Sequence, residues 1–220
     1  KSMSSLHKLL EELRAGSKSE REKGTYFENL VKIYLRNEPK YQDLYSDVWL
    51  WEGWRAMWVA DGHQDPGVDT GIDLVAKTAL GEYHAIQAKF WDSDRTLYKK
   101  DVDSFFTASG KKPFVHRVIV FSTDKLSDNL KDALVDQTPP VPTISLSDLE
   151  ASLIDWSQTL KKPESKPVLR KVKDLRPYQS TAINNVVSGL SDADRGKLIM
   201  ACGTGKTFTS LRLAEKMSGE

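Results

Sequence analysis

Two short strand patterns, Ile72 to Lys77 and Glu82 to Trp91, flank the tetrapeptide Thr78-Ala79-Leu80-Gly81. A glycine in so short a connection between β-rich runs predicts a hairpin, and a hairpin leaves only its register to be fixed. With the turn centred on Leu80, residues whose numbers sum to 160 face each other, which sets Asp73 across from Gln87. Strand side chains alternate, so Gln87 and Lys89 share a face with Tyr83 and Ala85, while His84, Ile86, Ala88 and Phe90 take the other. A carboxylate, an amide oxygen and an ammonium therefore converge. Hard oxygen ligands of this kind suit Mg²⁺, the ammonium orients and helps deprotonate a water, and a phosphodiester would supply the remaining ligands. The plain alternative is that Asp73 merely opens a strand and Lys89 is a solvated edge residue.

Around the hairpin the chain alternates. Leu6 to Leu13 reads as a short helix, and a second begins at Thr25, with Phe27, Leu30, Val31, Tyr34 and Leu35 spaced by three and four and Glu28 beside that stripe. Val48-Trp49-Leu50-Trp51 is strand-like in composition, and the tryptophans from Trp49 to Trp58 read as core in preference to a base-stacking platform. Asp61 to Gly71 is a loop holding Asp61, Asp65 and Asp69, an acidic, solvated stretch that has the option of adding a ligand. After the hairpin come a helix near Lys100 to Ser109, an apolar central strand Val115 to Phe121, a helix Asp128 to Val135, a strand Val141 to Leu146 and a helix Leu149 to Trp156. This order predicts an α/β domain ending near Ser157, with a central mixed sheet flanked by helices. His63, His84 and His116 have no partner at metal-ligand spacing and read as structural or surface residues.

The 220 residues suffice for one full domain and part of another. No apolar run approaches the roughly 18 residues of a membrane span, the N-terminus lacks a signal-peptide core, and Cys202 has no second cysteine to pair with. A soluble protein of a reducing cytoplasm, with no membrane partner, is expected. The net charge of +1 conceals segments: eight acids against two bases over 41–84, and seven bases against two acids over 159–176.

Gly71-Ile72-Asp73-Leu74-Val75-Ala76 followed by Ala85-Ile86-Gln87-Ala88-Lys89-Phe90-Trp91 resembles the signature of Mrr-like nucleases of the PD-(D/E)xK superfamily, over about residues 20–155. The resemblance implies an Mg²⁺-dependent endonuclease acting on double-stranded DNA. Asp73 would be the principal metal ligand, Gln87 a second ligand or water-positioning group, Lys89 the activator of the attacking water, and Glu28 an auxiliary acid. The carbonyl of Ala88 would complete the metal shell. Gln87 departs from the commoner Asp or Glu and removes one negative charge, which leaves the number of metals open.

Residues 159–172 contain Pro163, Pro167 and Ser165 among Lys161, Lys162, Lys166, Arg170 and Lys171, with Lys173 at the edge, the composition of a basic tether able to lie along phosphates. Beyond it, a helix Leu175 to Leu190 and a short strand Lys197 to Ala201 lead into Gly203-Thr204-Gly205-Lys206-Thr207, the end of a phosphate-binding loop, followed by a helix Phe208 to Lys216. Backbone N–H groups cradle phosphates in such a loop, Lys206 neutralises them and Thr207 binds the Mg²⁺ that accompanies ATP. Met200 stands where the full pattern has its first glycine. Leu175-Arg176-Pro177-Tyr178-Gln179 resembles the adenine-recognition element of superfamily 2 helicases, which implies that Gln179 reads adenine with Arg176 and Tyr178 flanking it. The chain then divides into a nuclease domain over 1–158, a linker over 159–172 and the first elements of a RecA-like helicase domain over 173–220. That arrangement resembles the start of a single-chain Type ISP restriction-modification enzyme of the bacterial cytoplasm. It implies a downstream motor, methyltransferase and target-recognition domain. The alternative is a catalytically inactive endonuclease-fold module, binding DNA or protein and attached to an ATP-dependent helicase.

Overall fold

The computed structural model describes residues 4–68, 71–159, 167, 169, 175–200 and 206–218. The chain divides into two units, Lys1–Arg170 and Lys171–Glu220. The first holds helices α1 (Ser5–Gly16), α2 (Glu20–Asn37) and α3 (Pro39–Gln42), then β1 (Tyr45–Leu50), α4 (Trp51–Ala60), β2 (Leu74–Thr78) and β3 (Tyr83–Lys89). A 3₁₀ turn (Lys99–Asp101) precedes α5 (Asp103–Ser109), β4 (Phe114–Phe121), α6 (Asp128–Leu134), β5 (Thr143–Ile144), α7 (Leu146–Ala151) and α8 (Trp156–Thr159). The second unit holds α9 (Pro177–Asp192) and α10 (Lys206–Ser218).

The strands form one mixed sheet in the order β1-β2-β3-β4-β5. The β1/β2 and β2/β3 pairs are antiparallel, and the β3/β4 and β4/β5 pairs are parallel. The hairpin register is the expected one, with Leu74 opposite Ile86, Val75 opposite Ala85 and Ala76 opposite His84. Gly81 closes the turn at φ +88°, a conformation in which a side chain would be strained. Its two neighbours on the far side cannot be joined by so short a turn, because parallel strands need a crossover. Helix α5 carries the chain from β3 to β4, and α6 carries it from β4 to β5.

Alternation sorts the core into two layers. Leu74, Ala76 and Ile86 point to a layer built with α1 and α2 (Leu6, Leu10, Phe27, Leu30, Val31, Tyr34) and with Leu149 and Trp156. Val75, Ala85 and Ile119 point to the other, built with α4 and α5 (Trp51, Trp54, Phe105). Helix α1 also reaches the end of β3: the Arg14 guanidinium donates to the Trp91 carbonyl, pairs with Asp92 at 3.3 Å and lies 4.7 Å over the Phe90 ring. Among the described residues, no helix is long and apolar enough to cross a membrane.

Three expected elements differ. Trp51 opens helix α4 and does not extend the strand. Its N–H donates to the Asp73 carbonyl at 2.9 Å, a long-range bond that turns the chain at Leu50 whatever the local β propensity. The last helix of the first unit is broken in two. Ser145 caps α7 early, and Ser152 ends it by donating to Glu38 while accepting from the Ile154 N–H. Residues 197–200 form no strand. A strand is defined by its ladder, and no partner strand lies among the described residues of the second unit, where Ile199 is 88% exposed. Of the basic stretch, Lys161, Lys162, Lys166, Arg170, Lys171 and Lys173 lie outside the described residues, and Leu169 makes an isolated antiparallel bridge to Ile154.

Candidate active site

Asp73 stands one residue before β2 and is held by its backbone on both sides. Its N–H donates to the Ile86 carbonyl at 3.0 Å, and its carbonyl accepts from Trp51. In β3 the N–H of Ala88 faces the strand that has just ended, so it would lack a ladder partner. The Asp73 carboxylate takes that place, accepting from Ala88 N–H at 2.7 Å. One carboxylate oxygen is thereby held against the Gln87–Ala88 peptide.

Gln87 is 1% exposed. Its Nε2 donates to the Gly71 carbonyl at 3.0 Å, which fixes the orientation of the amide, because the reverse placement would set oxygen against oxygen. The other end, Oε1, is buried and has no hydrogen-bond partner among the described residues. A buried acceptor left unmade costs free energy, on the order of 1–3 kcal/mol, and so calls for a ligand or a reason. Gly71 makes this geometry possible. It sits at φ +121°, and a Cβ there would come within 2.9 Å of Ser104 Oγ and 3.1 Å of the Phe105 nitrogen at the start of α5.

Lys89 follows on the same face, half-buried, and its ammonium makes no hydrogen bond or ion pair with the described residues. Its carbonyl accepts from Ser122 N–H, so the end of β3 is tied to β4. Glu28 is half-buried on α2, next to Phe27, whose ring stacks on Phe90 at 5.1 Å. Helix α2 covers the sheet face opposite to Gln87. The structure thus brings Asp73, Gln87 and Ala88 together and sets Lys89 beside them, whereas Glu28 lies on α2, in the layer on the other side of the sheet.

Of the acidic loop, Asp65 is engaged elsewhere. Asp65 accepts two bonds from Arg55, at 2.6 and 2.7 Å, and one from Gly67 N–H, and these hold its carboxyl down to about 2, Arg55 contributing most. Asp61 is exposed, and Asp69 lies outside the described residues. His63 stacks on Trp58 at 3.7 Å. His84 is buried on the opposite face, 3.0 Å from the Tyr45 hydroxyl and edge-on to His116. Burial, and then His116, push its pKa down to about 4. Among the described residues no group of three His, Cys, Asp or Glu side chains could hold a metal. A cation here would depend on a mixed set of carboxylate, amide and peptide oxygens, and the unsatisfied Gln87 oxygen fits that use.

In the second unit, Gln179 is buried in the first turn of α9. Its Oε1 accepts from the Arg176 N–H at 2.9 Å, and the Arg176 guanidinium reaches the Tyr178 hydroxyl at 3.5 Å. The three residues expected at an adenine are therefore neighbours, with the Gln179 oxygen serving as helix cap. Lys206 and Thr207 open α10, and Gly203, Thr204 and Gly205 lie outside the described residues. Sequence reasoning did not single out Gly71 as a positioning element. Its only local signal was a glycine two residues before the aspartate.

A mixed sheet with its antiparallel hairpin ending in Asp73, Gln87 and Lys89 defines a restriction-endonuclease-type domain. A family profile described as restriction endonuclease matches residues 36–166, and the chain belongs to that family. Its second unit matches, over residues 172–220, a profile described as Type III restriction enzyme, res subunit. Among solved structures the chain is similar to the ATP-dependent Type ISP restriction-modification enzyme LlaBIII bound to DNA, at 37% identity and TM-score 0.72. That match covers 96% of this chain and 13% of the other, so the chain spans about an eighth of the enzyme's length. The DNA modification-dependent restriction endonuclease AspBHI matches at 16% identity and TM-score 0.45, over 68% of this chain and 35% of that one. No curated protein sequence matches.

Proposed function

We propose that residues 1–158 are a divalent-metal-dependent DNA endonuclease domain, joined through 159–172 to the start, at 173–220, of an ATP-driven duplex DNA translocase. The observation that carries the reading is the Gln87 oxygen, buried and without a partner among the described residues, beside a carboxylate held by Ala88 N–H. Asp73, Gln87 Oε1 and the Ala88 carbonyl would hold a hard cation such as Mg²⁺, with Glu28 as an auxiliary acid. When bound, such an ion supplies Lewis-acid polarisation of a phosphodiester. The protein's own residues do the rest. Gly71 holds the Gln87 amide in one orientation, the Ala88 N–H restrains Asp73, and the Lys89 ammonium orients an attacking water and offsets charge growing on the phosphate. In the second unit, Arg176, Tyr178 and Gln179 would bind adenine, and Gly203, Thr204, Gly205, Lys206 and Thr207 the phosphates of Mg²⁺-bound ATP. Methyltransferase and target-recognition domains further along a full-length chain in the bacterial cytoplasm complete the proposal.

The test is nicking of supercoiled plasmid by the 220-residue chain across an Mg²⁺ and Mn²⁺ titration. Metal-dependent nicking that Asp73→Ala and Lys89→Ala each abolish, with unchanged thermal unfolding in Lys89→Ala, is the expected result. Retention of DNA binding with no nicking at any metal concentration would favour an inactive binding module instead.

A further inference from the structure

Strands β3 and β4 end level with each other, at Lys89 and Phe121, and the ladder between them stops there. The rung that follows is the Ser122 N–H, which donates to the Lys89 carbonyl at 3.0 Å. Past it, Trp91 is met by a side chain. The Ser122 hydroxyl accepts from the Trp91 N–H at 2.7 Å and donates to the Trp91 carbonyl at 2.6 Å. A hydroxyl is donor and acceptor at once, so this one side chain prolongs the ladder by two bonds. Ser122 is 0% exposed, at the point where the apolar run Val118-Ile119-Val120-Phe121 gives way to Ser122-Thr123. The Thr123 hydroxyl, equally buried, donates to the Ser93 and Arg95 carbonyls at 3.1 and 2.8 Å and holds the next stretch of chain.

These bonds bracket Lys89. On one side of it, the Ala88 N–H is bound to the Asp73 carboxylate. On the other, Phe90 stacks on Phe27 and Trp91 is bound to Ser122. The Lys89 ammonium makes no hydrogen bond or ion pair with the described residues, so its backbone and stem set its place. A flexible four-carbon stem carries any tilt of the backbone through to the charge. Arg14 also donates to the Trp91 carbonyl. Removing the Ser122 hydroxyl would therefore leave that carbonyl with a donor, whereas the Trp91 N–H would lose the acceptor that ties it to the end of β4.

We propose that Ser122 is a positioning residue for Lys89: its buried hydroxyl fixes the strand end so that the ammonium meets the attacking water and the phosphate in one place. The inference rests on the nuclease reading of this unit, and it adds a residue that acts through the backbone and not on the DNA. A shift of about 1 Å at a reacting group costs up to about 100-fold in rate. Binding of the DNA as a whole does not depend on that ångström, so the loss falls on the chemical step.

The test has two arms, both in the 220-residue chain. Without metal, NMR relaxation of Ser122→Ala should show the order parameter of the Trp91 amide falling from about 0.85 toward about 0.6, with that of Val120 unchanged. With Mg²⁺, the rate of plasmid nicking at saturating protein should fall at least about ten-fold, while the protein concentration giving half that rate stays within about two-fold. Ser109→Ala is the control. Ser109 is nearly as buried, and its hydroxyl likewise makes two bonds, donating to the Phe105 carbonyl and accepting from Arg117. It should keep the wild-type rate. A wild-type rate in Ser122→Ala would overturn the proposal. So would an equal fall in Ser109→Ala, which would assign the loss to general loosening, or a fall in rate with the Trp91 amide unmoved. If the wild-type chain nicks no plasmid with any metal, it is the nuclease reading that fails, and a Trp91 amide that loosens in Ser122→Ala then leaves Ser122 as a brace of the sheet and nothing more.

Discussion

Replacing Gly71 with alanine should damage the first unit more than the same change at Gly81, although both glycines sit at positive φ. At Gly81, φ is +88° and a new Cβ would meet nothing within 4 Å, so the cost is backbone strain alone, about 1 kcal/mol. At Gly71, φ is +121° and the Cβ would press on Ser104 Oγ at 2.9 Å and on the Phe105 nitrogen at 3.1 Å. The first contact is a small side chain and the second is backbone at the start of α5, so the loop has to move. Adding an overpacking cost of about 1–3 kcal/mol to the strain gives about 2–4 kcal/mol in total. In a unit of this size that corresponds to a fall in Tm of roughly 6–12 °C, against roughly 3 °C for Gly81→Ala. Thermal unfolding followed by circular dichroism measures both. Gly71→Ala/Ser104→Ala should recover part of the loss, because it removes the hydroxyl and leaves the Phe105 nitrogen in place. If Gly71→Ala proved no more destabilising than Gly81→Ala, the close approach to α5 would have no energetic meaning, and the account of how Gln87 is held would fail with it.

His84 is neutral in the fold, with a pKa of about 4 against an ordinary 6.5, so its contribution is complete above pH 6.5 and is lost as pH falls from 6.5 to 4. Between pH 7 and pH 5 the wild type should lose about 2 kcal/mol more unfolding free energy than His84→Gln, measured by urea titration at the two pH values, and equal losses would refute the assignment. Asp65 should titrate near 2 by carboxyl NMR and rise in Arg55→Ala, since Arg55 is the larger of its two hydrogen-bonding causes; an unmoved midpoint would assign the depression elsewhere.

The hairpin was legible because its information is local. Alternation, a turn glycine and an even register were enough to place Asp73 opposite the level of Gln87, as Leu74 opposite Ile86 bears out. The mixed sheet with flanking helices followed from element order in the same way. What could not be read locally was anything settled by a distant partner. Trp51 belongs to a strand by composition and to a helix by its bond to Asp73. The break at Ser152 depends on Glu38, more than a hundred positions away. At the candidate site, alternation put Gln87 and Lys89 on one strand face, whereas the Gln87 oxygen left without a partner among the described residues, the Ala88 N–H under Asp73 and the crowding at Gly71 are consequences of packing. The separation of Glu28 onto the opposite layer is another, since a helical stripe says which side is apolar but not which face of a sheet receives it.

Arg14 and the apolar stripe of α2 bear on how this restriction-endonuclease-type unit could be moved between proteins. The segment recognisable by its family profile starts at residue 36, after Phe27, Leu30, Val31, Tyr34 and Leu35 have already been passed. A graft cut at that boundary would carry the hairpin and every residue proposed to act there except Glu28. It would leave Leu74, Ala76 and Ile86 without the helices that cover them, and would release the Arg14 bracket on the chain just beyond Lys89. The stretch that names the family is therefore smaller than the body that folds, and any chimera, truncation or recombination that preserves function has to inherit α1 and α2 with it.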